Sequence, residues 1–412
     1  MSSHRRIVAS LTVSSQVLFA LFLLVASGGA GCGRETLIGV DPAAPWPPAG
    51  SGGAHPIGTG GATSSGGVVG SGGVNGCLPG TGGAIGSGGS ASSCTTISTV
   101  PGQVNDCGRT SAAAYSPDGT MLATVTETSS LQLHVWRLAD GHLMYEQSVT
   151  NHSSGAYGVT FSPDGKLIAT AGNAPISVVN GITSQSETNT VTILDAATGA
   201  IVATLPTEDS VYSTSVLFSA DGTRLTTAGA ASAIETWNTG DWTRVSTIPY
   251  TRYTIYALHF SPDGQRLLAS SAGEDVILNV ADGSTVAQIP NLVFEMNEAS
   301  YSPNGQLIFA IGGPGQIQIL DATAMTLQQM TFKTAASSTY IGHGMWIGDD
   351  HVVANDWAGA VEEWSKDPAE AQGPFSLTQS WSMPGQALGM ALAPDGRSFV
   401  VTGSFGFEVL TP

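Results

Sequence analysis

Side chains able to do chemistry are few in this chain and lie far apart. Six histidines, His134, His142, His152, His259, His343 and His351, fall in different parts of the C-terminal three quarters. Imidazoles act as general bases, proton carriers or metal ligands once a fold brings them to a carboxylate or a metal ion. Five aspartates, Asp118, Asp164, Asp221, Asp263 and Asp395, look like a carboxylate set. Each occupies the same place in a short recurring phrase, however, which makes them turn residues. No Gly-x-Ser-x-Gly elbow, His-Glu-x-x-His pair, Cys-x-x-Cys or EF-hand loop occurs. The sequence therefore nominates no catalytic, cofactor-binding or metal-ligating residue and no cofactor. Each histidine reads as structural or exposed, and only the fold can gather several of them at one axis.

The elements that position these residues follow from the phrase itself. It runs Ser116-Pro117-Asp118-Gly119, returns at 162–165, 219–222, 261–264 and 302–305, degrades at Ile347-Gly348-Asp349-Asp350, and ends as Ala393-Pro394-Asp395-Gly396. The copies follow one another at steps of 41 to 57 residues, and a period in this range indicates a solenoid or a propeller. Proline presets φ, Asp or Asn accepts a local backbone hydrogen bond, and Gly takes the positive φ, so each copy is a hairpin tip. Around the second copy, Tyr157 to Phe161, Leu167 to Ala171, Val191 to Asp195 and Ile201 to Pro206 read as four successive strands. Seven such repeats predict an all-β, seven-bladed β-propeller of four-stranded antiparallel blades. The last repeat supplies three strands, up to Phe405 to Leu410, before the chain stops at Pro412. Thr95 to Pro101 matches the fourth strands Thr243 to Pro249 and Ser284 to Pro290, so an N-terminal strand is expected to complete the last blade.

Residues 151 to 161, Asn-His-Ser-Ser-Gly-Ala-Tyr-Gly-Val-Thr-Phe, resemble the loop and first strand of the WD40 family, and Trp136, Trp237 and Trp364 stand where its third-strand Trp would be. The resemblance covers roughly residues 95 to 412. It implies the propeller fold and a non-catalytic binding or scaffold role. The blade that carries His152 and Thr170 has Leu194 at the Trp position, and Leu194 to Gly199 resembles the strand-closing turn of YVTN-type and quinoprotein propellers. That second likeness implies the alternative, a lactonase or quinoprotein-like enzyme with an axial site.

Outside the repeats, composition bounds the partners. A net charge of −18 and only three lysines, Lys166, Lys333 and Lys366, leave no basic footprint, so no nucleic-acid partner is expected. A charged fraction of only 11% and 53 glycines fit an exported β-protein better than a cytosolic enzyme. Residues 1–31 read as a signal segment, with Arg5 and Arg6 before an apolar core from Val17 to Ala26. Gly29-Ala30-Gly31-Cys32 resembles the cleavage box of bacterial lipoproteins, which implies lipid attachment at Cys32 and a membrane held through that lipid. Ordinary secretion, or retention of Ile7 to Ala26 as an anchor, are the alternatives.

Residues 32–93 form a Gly/Ser-rich flexible tether and 94–412 the propeller, read as a monomer. Cys77, Cys94 and Cys107 leave the disulfide pairing open. The longest step between copies marks an insertion, 173 to 189, between the second and third strands of one blade. That loop, with Tyr157, Tyr253 and Tyr256, is the expected mouth for a protein, peptide or envelope polymer.

Overall fold

The computed structural model describes residues 94–412 except 106, 128–130, 149–155, 173–175, 180–181, 186–189, 208–212, 230–232, 251–253, 272–274, 290–295, 313–315, 333–340 and 368–373. After a short strand β1 (Val104–Asn105), blade 1 is β2 (Arg109–Tyr115), β3 (Met121–Glu127), β4 (Leu131–Arg137) and β5 (His142–Ser148). Blade 2 is β6 (Ala156–Phe161), β7 (Leu167–Gly172), β10 (Thr190–Asp195) and β11 (Ile201–Pro206), with a separate hairpin of β8 (Ile176–Val179) and β9 (Ile182–Gln185) inserted between β7 and β10. Blade 3 holds β12 (Ser213–Phe218), β13 (Arg224–Gly229), β14 (Ala233–Asn238) and β15 (Arg244–Pro249). In blade 4 are β16 (Ile255–Phe260), β17 (Arg266–Ser271), β18 (Asp275–Asn279) and β19 (Thr285–Gln288). Blade 5 consists of β20 (Met296–Tyr301), β21 (Leu307–Gly312), β22 (Gln316–Asp321) and β23 (Leu327–Phe332). Blade 6 consists of β24 (Ile341–Ile347), β25 (His351–Asp356), β26 (Ala360–Ser365) and β27 (Ser376–Ser382). Blade 7 joins β28 (Ala387–Leu392), β29 (Phe399–Gly403) and β30 (Gly406–Leu410) to β1.

The recurring phrase sits where its residue types require, between the first and second strand of each blade. Ser116 donates to the Asp118 carboxylate (2.6 Å), Ser162 repeats the bond to Asp164 (2.7 Å), and Gly119 and Gly165 take φ of 68° and 71°. The Ser162 hydroxyl, with help from Lys166, holds the Asp164 carboxyl down to about 2. These carboxylates are committed to local turns.

The core lies between blades. Leu133 and Val135 of blade 1 pack on Phe161, Ile168 and Leu194 of blade 2, and Phe309 and Ile319 of blade 5 pack on Trp346, Val352 and Trp364 of blade 6. Because each sheet is covered on both faces, its middle strands are apolar almost throughout, as in the buried IIe-Ala-Thr-Ala run of β7. Trp136, Trp237 and Trp364 all lie on third strands. Trp136 donates its indole N–H to Thr124 Oγ1 (3.0 Å), and Trp237 does the same to Thr227 (3.4 Å). In blade 2, Leu194 has no such proton to give, and the buried Thr170 hydroxyl has no hydrogen-bond partner among the described residues. Thr124→Val should therefore cost about 1–3 kcal/mol by stranding an indole donor, whereas Thr170→Val should be neutral or slightly stabilising. Denaturant midpoints of the two variants check this, and equal losses would count against it.

An N-terminal strand does complete blade 7, but it is not Thr95 to Pro101. The pairing is Val104 with Glu408 and Asn105 with Phe407, preceded by a bond from Gly102 N to Val409 O (2.9 Å). Residues 95–97 instead run along the start of β5 in blade 1, with Ile97 N on Gly141 O (2.7 Å) and Leu143 N on Thr95 O (3.0 Å). The reason is covalent and steric together. Cys94 and Cys107 are joined, Cα to Cα 5.4 Å, so the chain must double back between them. Asn105 holds the fold-back shut, accepting from Ser98 N (2.6 Å) and donating to Ser98 O (3.0 Å). Ile97 and both cysteines then fill one cluster with Leu122 and Trp136 of blade 1 and Val400 and Phe407 of blade 7. Gly141 and Gly406, at φ 67° and 93°, leave room for this clasp: a Cβ on either would overlap a backbone carbonyl of it, Ile97 O or Asn105 O. Cys77 lies outside the described residues.

Candidate axial site

Seven inner strands, β2, β6, β12, β16, β20, β24 and β28, touch in sequence and close on themselves around the axis. Each pairs with its second strand through a register shift at the same place. Such a bulge re-aims the next side chain. The residues just past it are Ala112, Gly158, Ser215, Ala257, Glu298, His343 and Gly389. This position faces the following blade at close quarters. A Cβ on Gly389 would lie 3.0 Å from Ser111 O of blade 1, and the Ser215 hydroxyl already accepts the N–H of Leu258 in blade 4 (3.2 Å). Small residues are what the ring requires there. Glu298 and His343 are the two departures, and they are neighbours.

Together with His259, two residues further along β16, they meet. His259 Nε2 lies 3.1 Å from Glu298 Oε1, and His343 Nδ1 lies 3.3 Å from Oε2. The same Oε2 accepts the inward N–H of Gly344 (3.0 Å). Glu298 is nearly enclosed, with 13% of its side chain exposed, while His259 and His343 keep 33% and 46%. Burial pulls the Glu298 carboxyl upward, but the hydrogen bonds and charge of the two imidazoles outweigh it and hold the group well below the usual carboxylate range. A carboxylate with three donors is spent as a ligand. What it does is fix two imidazoles, leaving His259 Nδ1 and His343 Nε2 as the nitrogens able to act outward. Among the described residues no three His, Cys, Asp or Glu side chains are grouped to hold a metal ion.

The remaining histidines are placed differently. His134 is buried on β4, bonded to Thr126 (2.7 Å) and 3.5 Å from Glu146; burial, opposed by Glu146, lowers its basicity. His351 bonds the buried Glu363 (2.5 Å) at the opposite end of blade 6, His142 is exposed, and His152 lies outside the described residues. Of the three mouth tyrosines, Tyr256 is half-buried on the inner strand β16 and Tyr157 is on β6, its side chain outside the described set. Tyr253 and Cys32 fall outside the described residues altogether.

One further carboxyl stands apart. Asp275 opens β18 and is fully buried; its Oδ1 accepts Ser271 N (3.1 Å), while Oδ2 has no hydrogen-bond partner among the described residues. Burial pushes it up to about 7, with the Ser271 N–H working weakly the other way.

Residues 144–174 match the family model described as WD domain, G-beta repeat. The stretch runs from the outer strand of blade 1 through the second strand of blade 2, so the likeness is to one WD-type unit of the seven-bladed ring. No curated protein matches the chain. Nothing in the sequence alone announced the axial group, although a signal was there: Ala112, Gly158, Ser215, Ala257, Glu298, His343 and Gly389 each stand four residues before their copy of the turn phrase.

Proposed function

We propose that the protein is a non-catalytic binding or scaffold propeller displayed at the cell envelope. It recognises a protein, peptide or envelope polymer through one mouth of the ring. The observation that carries this reading is the hairpin of β8 and β9, a two-stranded sheet of its own. The chain leaves β7 and enters β10 at the end of the ring where every outer strand hands over to the next inner strand. The hairpin therefore belongs to that mouth, and in this reading Tyr157, Tyr253 and Tyr256 serve the same mouth. A lone hairpin is marginal in water, which suits an element completed by what it binds.

Replacing 173–189 by a three-residue link, the length that joins β13 to β14, should leave the melting temperature nearly unchanged. The same change should reduce saturable binding of the purified propeller to isolated cell envelopes. Envelope binding that survives both the short link and Tyr253→Ala would remove this mouth from consideration.

In this reading the Gly/Ser-rich segment 32–93 is a tether and Cys32 its lipid-bearing end, which places the ring at a membrane as a monomer. Mass spectrometry of the mature N-terminus should find the lipid on Cys32, and a free terminus at any other residue would exclude it. The second reading is an enzyme of the lactonase or quinoprotein-like kind with an axial site. It is favoured by the meeting of His259, Glu298 and His343 on three adjacent inner strands.

A further inference from the structure

We infer that the rim of the ring across blades 4 to 6 is a saccharide subsite, with Trp357 as its stacking platform and Asn355, His343 and His259 as its hydroxyl partners. This rests on the envelope-polymer branch of the function proposed above and says which polymer chemistry the mouth would take.

Trp357 lies in the turn between β25 and β26, at the end of the ring from which the hairpin of blade 2 leaves, and 38% of it is exposed. An indole kept half in water at a channel mouth is the usual anchor for a ligand with one apolar face. Its five-membered edge hangs over Gly342, the residue before His343. A Cβ at Gly342 would come within 2.9 Å of Trp357 Cδ1 and 3.0 Å of Asn355 Oδ1, so any side chain there would fill the notch.

Below that notch is a buried amide. Asn355 is fully buried, and its Oδ1 accepts the N–H of His343 (2.7 Å), yet its Nδ2 has no hydrogen-bond partner among the described residues. An unspent buried donor is costly, and such groups persist where a ligand or water satisfies them. Beside it, Glu298 fixes the two imidazoles so that His343 Nε2 and His259 Nδ1 are the nitrogens left to bond outward.

The ligand class follows from what these groups require. It must accept from an amide N–H, exchange hydrogen bonds with imidazole nitrogens, and lay a C–H face on an indole. A chain with net charge −18 repels anions, the Glu298 carboxylate already has three donors, and Asp356 between Asn355 and Trp357 is fully buried and accepts the Ala360 N–H, so neither an anion nor a cation is served. A sugar ring meets every requirement, because each hydroxyl both donates and accepts and the ring's axial C–H bonds present an apolar face.

The test uses four soluble probes, cellotetraose, chitotetraose, maltotetraose and laminaritetraose, titrated into the whole chain while indole N–H and imidazole resonances are followed by NMR. At least one is expected to shift the signals of Trp357 and His343 together. Trp357→Ala should weaken that binding about tenfold, while Trp357→Phe should hold it within about threefold. The chain with residues 173–189 shortened should bind the sugar as before, which separates this subsite from the hairpin's role. Silence of both residues with all four probes would overturn the inference, and so would binding that Trp357→Ala leaves unchanged.

Discussion

A chain shortened to begin at Gly108 should unfold well below the temperature of one that begins at residue 90, and should self-associate. The shortened chain loses the Cys94–Cys107 bond, β1, and the contact of 95–97 with blade 1. A disulfide closing a loop of this size stabilises by about 3 kcal/mol. Burying Ile97 adds roughly 1.5–3 kcal/mol. The hydrogen bonds from Ile97, Gly102 and Leu143 N–H groups contribute about 0.5–1.5 kcal/mol each. A loss of at least 5 kcal/mol or so is the expected order, larger than any other change described here. The bared edge of β30 then offers unpaired backbone groups to a second chain. Two intermediates divide the effect. A start at residue 103 keeps Val104 and Asn105 but loses the blade 1 half of the clasp, and Cys94→Ser with Cys107→Ser keeps every residue but frees the ends. Each should fall between the extremes. Identical melting curves and sedimentation for the chains starting at 90 and 108 would mean that the ring closes without the clasp.

Asp275→Asn should raise stability at neutral and alkaline pH and leave it unchanged in acid. The carboxyl titrates near 3.8 when unfolded and at about 7 when folded. Between those values the folded chain holds a proton that the unfolded chain has released, so stability falls as pH rises through this window. Above pH 7 the whole cost of the buried charge is present, on the order of 4 kcal/mol at about 1.4 kcal/mol per unit. Asn keeps the acceptor for Ser271 N–H and never ionises. Its amide also has as an acceptor the buried Ser270 hydroxyl across the strand pair, itself without a hydrogen-bond partner among the described residues. A gain of about 2–4 kcal/mol at pH 8 that vanishes by pH 4 is therefore the expected pattern in denaturant titrations. Parallel pH profiles for the two proteins would show that Asp275 is not what sets this dependence.

The architecture was legible because one phrase does one physical job seven times. Ser, Pro, Asp and Gly are each needed for the tip, so even the degraded copy at 347–350 could be placed, and the third-strand tryptophans followed. The closing strand was misassigned for an equally physical reason. Thr95 to Pro101 has the alternation of an outer strand, and it does lie on an outer edge, but of blade 1. Its placement is decided by Cys94, Cys107 and Asn105, whose pairing depends on a fold-back that alternation does not encode. Likewise the insertion at 173–189 read as a loop, whereas eight of its residues pair as a hairpin. The axial group was half visible. Aligning the repeats on their turns puts Glu298 and His343 in a column otherwise made of Ala, Gly and Ser, and His259 two places along. That they touch depends on the bulge in each inner strand and on the ring closing, which no single repeat reveals.

The clasp also decides how the ring carries force. Tension arriving from residues upstream reaches Cys94 and crosses the disulfide to Cys107. Two residues later it enters Arg109, the first residue of the inner strand β2. Residues 95–106 form a covalent side loop that bears none of this load. A pull that would otherwise peel the latch open one hydrogen bond at a time is delivered to the innermost strand of blade 1, and the latch stays slack while the rest of the chain is taut.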